Sequence, residues 1–149
     1  MKKITTMLTA ALMLFSIFAF ANEGDKVSAV VKAAFLKDFS SASTVSWEQS
    51  KGYYFATFTM NELEVNAAYN EAGELVATSR AIEFNQLPLS VSMALSKKYV
   101  GYNLPKTAME LSYDGITSYY VNVENDRQSL KLKCSGGGDI QVERKLKKK

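Results

Sequence analysis

The stretch Tyr53-Tyr54-Phe55-Ala56-Thr57-Phe58-Thr59-Met60, followed by the turn residues Asn61-Glu62, decides how this chain is read. It has a period of two. Tyr54, Ala56, Phe58 and Met60 fall on one side, and Tyr53, Phe55, Thr57 and Thr59 on the other, the pattern of a β-strand with one core face. The first set predicts core. The second, aromatic and hydroxyl-bearing, predicts a face that is only partly covered. After Asn61-Glu62 the chain returns through 63–69, and Asn70-Glu71-Ala72-Gly73 turns it again into a strand within 74–84. There Leu75, Ala77, Ser79 and Ala81 alternate against Val76, Thr78, Arg80 and Ile82.

Upstream, Val27, Val30, Val31, Ala34, Phe35 and Phe39 recur at helical spacings of three and four, which predicts a helix over 26–39 with Asp25 as its N-cap. A short strand over 45–49, with Val45 and Trp47 on one face, and a Gly52 turn lead into the deciding stretch. Downstream the pattern restarts. Pro88 is placed to open a helix striped by Val91, Ala94, Leu95 and Tyr99, and Gly101 and Pro105 end it. Strands are expected at 106–112, 116–124, 129–134 and 139–146, with Asp114-Gly115 as a hairpin signal. One shift of 65 residues places Tyr54 on Tyr119, Phe58 on Val123, Gly73 on Gly138 and Leu75 on Ile140. Over the helix the shift is 60, where Phe35 meets Leu95 and Phe39 meets Tyr99. The fold class expected is therefore α+β: two tandem helix-plus-antiparallel-strand units, about 25–85 and 86–147, sharing one curved antiparallel sheet with the helices on one face.

These residues resemble the PepSY-like, β-lactamase-inhibitor-like family of exported bacterial proteins from Bacteroidetes. The resemblance covers roughly 27–146 and rests on Ala34-Phe35, Asp38-Phe39, Val45-x-Trp47-Glu48, Gly52-Tyr53-x-x-Ala56-x-Phe58, Tyr69-Asn70-Glu71-Ala72-Gly73-Glu74, and Leu87-Pro88 with Val91, Ala94 and Tyr99. The second half departs from the family's pattern at Ser135-Gly136-Gly137-Gly138-Asp139, which replaces a shorter aspartate-glycine turn. The resemblance implies export and an architecture like that of β-lactamase inhibitor proteins, whose two tandem units form a curved sheet that grips a protein. It carries over no contact residue and does not establish inhibition.

The N-terminus reads as a secretion signal. Lys2 and Lys3 precede an apolar stretch from Met7 to Phe18, and Ala19-Phe20-Ala21 is a small-x-small cleavage site, so 1–21 are expected to leave and 22–149 to remain as one domain. The stretch is short for a membrane span, so no transmembrane anchor is expected after cleavage, and the protein is placed in the periplasm or outside the cell. Loss of Lys2 and Lys3 leaves 16 Lys/Arg against 15 Asp/Glu, a balance of +1, which speaks against a nucleic-acid partner. The charge is uneven. Residues 127–149 hold eight Lys/Arg against Asp139 and Glu143, a basic end suited to touching acidic surfaces.

The chain has no histidine and a single cysteine, Cys134. That excludes Ser-His-Asp and Cys-His catalysis, ordinary zinc sites and an internal disulfide. Cys134 alternates with Leu130 and Leu132 and reads as a small buried apolar residue. No Ser-x-x-Lys and no phosphate-cradling glycine motif occurs, and Gly136-Gly137-Gly138 lies between strands. Glu62 and Glu64 share a face in a strand region, Asp114 stands in a turn, and Glu124-Asn125-Asp126 is the nearest approach to a calcium loop. Turn and edge carboxylates of this kind are normally solvated. No enzyme, metal or cofactor is expected.

Binding remains. Trp47, Tyr53, Phe55, Tyr119 and Tyr120 sit on hairpin strands, and aromatic side chains supply large contact area. By parity, Tyr53, Phe55 and Tyr120 are the residues expected to line the sheet face that carries no helix and to hold a protein or peptide partner of the cell envelope. The alternative is a small-ligand or lipid carrier with an apolar pocket between helices and sheet.

Overall fold

The computed structural model describes residues 26–148. Residues 1–21, expected as a secretion signal, and Asp25, expected as the first helix's N-cap, lie outside the described residues. The elements run α1 (Ala29–Asp38), β1 (Ser43–Ser50), β2 (Tyr53–Met60), β3 (Leu63–Asn70), β4 (Leu75–Glu83), a short 3₁₀ turn (Phe84–Gln86), α2 (Leu89–Lys98), β5 (Thr107–Tyr113), β6 (Ile116–Glu124), β7 (Gln128–Ser135) and β8 (Ile140–Lys147). The strands form one sheet in chain order, each antiparallel to the next.

The expected α+β fold of two tandem helix-plus-strand units is corrected here. The molecule is a single eight-stranded antiparallel meander with two ten-residue helices as minor additions. No seam divides the sheet at mid-chain. β4 and β5 pair in unbroken register from Ala77↔Tyr113 to Glu83↔Thr107, so the last strand of one supposed unit is hydrogen-bonded along its length to the first strand of the other. Backbone groups at a strand edge need partners, and zipping the two edges together satisfies them.

What recurs is local. Gly73 stands at φ +79 and its missing Cβ would meet Val30 Cγ1 at 2.9 Å, with Ala34 beside it. Gly138 stands at φ +94 and its Cβ would meet the Ser90 carbonyl oxygen at 2.8 Å, with Ala94 beside it. Only glycine fits a turn with that backbone so close under a helix. The 70–74 turn closes with Asn70 N–H donating to the Glu74 carbonyl and Gly73 N–H to the Asn70 carbonyl. The 135–139 turn repeats both bonds, from Ser135 N–H to Asp139 and from Gly138 N–H to Ser135. The glycine-rich segment thus makes the same turn and is no departure in geometry.

Both helices lie on one face, and each covers its own core. α1 places Val31 and Phe35, one turn apart, against Trp47, Tyr54, Ala56, Phe58, Ala67 and Tyr69. The Tyr69 hydroxyl donates to Asp38 Oδ2 at 2.9 Å and ties the end of α1 to β3. Ser28 caps the start of α1, its Oγ accepting the Val31 N–H at 3.3 Å. α2 places Val91 and Leu95 against Tyr119, Val121, Val123, Leu130, Leu132 and Cys134. Between the helices the same face turns polar. Arg80 on β4 donates to Glu110 on β5 at 2.8 Å, with the registered pair Thr78 and Ser112 next to it. This polar ladder separates the two cores.

Candidate functional site

The register fixes what the opposite, helix-free face presents. Phe55 on β2 lies opposite Ala68 on β3, Ala68 opposite Ala77 on β4, and Ala77 opposite Tyr113 on β5. Two small residues between two rings make a shallow apolar centre. Phe55, Ala68 and Ala77 are buried there, and Tyr53, Leu111 and Tyr113 pack against them half-buried. The Tyr53 and Phe55 ring centroids are 6.5 Å apart. Two rows further along, Met109 on β5 lies opposite Tyr120 on β6, and Tyr120 opposite Lys133 on β7. Met109 is 45% exposed. Beyond it, Asn122, Lys131 and Arg144 form the next row across β6, β7 and β8.

Tyr53, Phe55 and Tyr120 therefore share the helix-free face but differ in what they offer. Tyr53 and Phe55 are together in the apolar centre. Tyr120 is four strands and two rows away from Phe55, more than about 19 Å at the usual strand spacing. Phe55 is only 5% exposed and Tyr120 only 9%. Phe55 supports the centre and does not form its surface. Tyr120 is covered by lysines: Lys131 Nζ lies 5.2 Å and Lys133 Nζ 6.0 Å from its ring centroid, an arrangement attractive to the ring's quadrupole. Burial, and then the Glu143 carboxylate, push the Tyr120 phenol up to about 12.

Tyr53 forms part of the surface, and the other residues that form it were missed. Met109, Leu111 and Tyr113 alternate on β5 with Ala108, Glu110 and Ser112, and the more apolar set faces away from the helices. Parity alone assigns that set to the core. The Asp114-Gly115 hairpin, which sets Tyr113 opposite Ile116, was the available signal for its register.

The remaining polar residues singled out in the sequence have local duties. Glu62 sits in a turn at φ +65, so it does not share a strand face with Glu64. Glu124 pairs with Lys148 at 3.0 Å. Asn125 Oδ1 accepts the Arg127 and Gln128 N–H groups, both at 3.0 Å. The Gly136 carbonyl accepts the Ser90 hydroxyl at 2.6 Å. Cys134 is fully buried, and burial pushes its thiol up to about 11, with Lys98 opposing weakly. Among the described residues no three His, Cys, Asp or Glu side chains come together as metal ligands, and no helix is long and apolar enough to cross a membrane. The C-terminal basic segment is strand as far as Lys147.

No family profile and no curated protein matches the chain. Solved structures do. A BLIP-like protein from Bacteroides fragilis superposes with a TM-score of 0.69 at 23% identity, covering 82% of this chain and 88% of that one. A candidate periplasmic protein from Bacteroides eggerthii gives 0.69 at 18% identity over 81% and 88%. A DUF2874 family protein from Bacteroides uniformis gives 0.69 at 20% identity over 80% and 88%. The chain has the fold of these BLIP-like and DUF2874 proteins.

Proposed function

We propose that this chain is exported to the cell envelope and acts there as a non-catalytic, inhibitor-like binding protein of the PepSY-like type, holding a protein or peptide on its helix-free sheet face. The observation that carries this is the apolar centre on that face. Phe55, Ala68 and Ala77 are buried without any helix over them, Tyr53, Leu111 and Tyr113 pack against them, and Met109 stands exposed further along β5. Half-exposed aromatic and methionine side chains around a filled base are the usual makings of a contact surface. Export is supported by the signal pattern at 1–21 and by the candidate periplasmic protein that shares the fold. The carrier alternative has less support. Under α1 the helix–sheet space is occupied by Phe35, whose ring centroid lies 5.2 Å from Trp47 and 5.0 Å from Phe58.

The test is capture. Residues 22–149 are immobilised and challenged with envelope extract of the producing organism, beside a Met109→Ser/Tyr113→Ser variant. The expected result is a retained protein that the variant releases while its urea midpoint stays near that of the parent. Equal retention by both would remove the apolar centre of this face from consideration.

A further inference from the structure

The helix-free face is polarised in charge as well as in apolarity. By register, the strand residues that β1 to β4 place on it include Glu48, Glu64 and Glu83 and no lysine or arginine. The same face of β6 to β8 carries Lys131, Lys133 and Arg144 in two adjoining rows. Glu124 at the far end is engaged by Lys148, and Glu143 is the acid acting on Tyr120. Lys131 and Lys133 sit over or beside the Tyr120 ring, which holds their stems along an apolar floor. Met109 is registered opposite Tyr120, two strands from Lys133, or about 10 Å, the span of roughly three residues of extended chain.

We propose that the β6–β8 half of this face binds carboxylates of an acidic polypeptide segment, one that sets an apolar side chain on Met109 and Asp or Glu side chains, about three residues on, against Lys133 and Arg144. This rests on the docking reading above and adds the chemistry of the partner. An acidic segment is matched to this half and repelled by the glutamates of the other, so charge fixes the direction in which it lies.

The probe is poly-L-glutamate, with poly-L-lysine and phosphatidylglycerol vesicles alongside, titrated onto residues 22–149 at low and moderate salt. The expected result is salt-sensitive binding of poly-L-glutamate alone. Lys133→Glu/Arg144→Glu should weaken it by about tenfold or more, while Lys97→Glu/Lys98→Glu, the same charge change on α2, leaves it within about twofold. No binding of poly-L-glutamate, equal loss in both variants, or vesicle binding that depends on Lys133 and Arg144 would each overturn the proposal, the last in favour of a lipid surface. The envelope partner separates this from the docking reading. If Lys133→Glu/Arg144→Glu leaves its capture intact while Met109→Ser/Tyr113→Ser abolishes it, the acidic chemistry is wrong and the docking face stands. If charge reversal abolishes capture and the Met109/Tyr113 change does not, the acidic chemistry stands and the apolar centre is not the dock.

Discussion

A methyl group added at Gly138 would stand 2.8 Å from the backbone oxygen of Ser90, on a residue already at φ +94. The neighbour is backbone in a helix and cannot turn aside. Gly138→Ala should therefore cost about 2 kcal/mol or more, read as a lower urea midpoint at unchanged slope. An unchanged midpoint would mean that α2 does not press on this turn. Tyr120 gives a second residue-scale outcome. Its folded phenol is raised to about 12 from 10.0, first by burial and then by Glu143, so the neutral form is the one the fold prefers. The stability this contributes is fully present below the unfolded value and is lost as pH rises through the folded one. Stability should fall between about pH 10 and 12, and Tyr120→Phe should flatten that fall, measured by urea unfolding across the range. Tyr69, also raised by burial and then by its bond to Asp38, adds to the same loss and is untouched by that substitution.

At the scale of the element, β2 shows why a strand's parity can be trusted where a helix lies over it. Phe58 is 1% exposed, and its ring centroid lies 5.0 Å from that of Phe35 on α1 and 4.7 Å from that of Phe39. Phe58→Asp would bury a carboxylate among the rings of Phe35 and Phe39 and leave a void where the Phe58 ring was. It should cost at least about 4 kcal/mol, enough to abolish a cooperative transition in a domain of ordinary stability. Circular dichroism of a soluble, cooperatively melting Phe58→Asp protein would contradict the strand's orientation. β5 shows the opposite case. Its apolar set of Met109, Leu111 and Tyr113 points away from the helices, because the cross-strand pairs Ala77↔Tyr113, Ser79↔Leu111 and Ala81↔Met109 fix its face. Nothing within 107–113 says so. The strand's neighbours decide.

At the scale of the molecule, two cores on one face of the sheet are kept apart by the Arg80–Glu110 ladder, yet the β4–β5 register is unbroken between them. The small cluster of Phe55, Ala68 and Ala77, with Leu111 and Tyr113 against it, crosses the same boundary on the other face. Hydrogen bonds and apolar contacts both span mid-chain, so the domain should unfold as one. Trp47 lies in the first core and Cys134 in the second. Urea transitions followed by Trp47 fluorescence and by the reactivity of Cys134 toward a thiol reagent should coincide. Loss of the Trp47 signal at clearly lower urea would show two independently stable halves.

Local pattern in the chain was enough for the strands of 53–83 and 116–134, the helices with their Val31/Phe35 and Val91/Leu95 pairs, the turns at Gly73 and Gly138, and the burial of Cys134. Each is a local matter of period, turn chemistry and apolar spacing. It pointed to the helix-free face, and it named Tyr53, Phe55 and Tyr120 there by counting parity. Tertiary structure was needed to show that the one sheet expected is not built from two tandem units, because the unbroken β4–β5 register depends on two segments distant in the chain. It also decided which side chains make the surface. Exposure on a sheet depends on neighbours in other strands: Phe55 is sealed by its own cluster, Tyr120 lies under two lysines, and Met109 and Tyr113 are carried outward by a register that no single stretch of sequence contains.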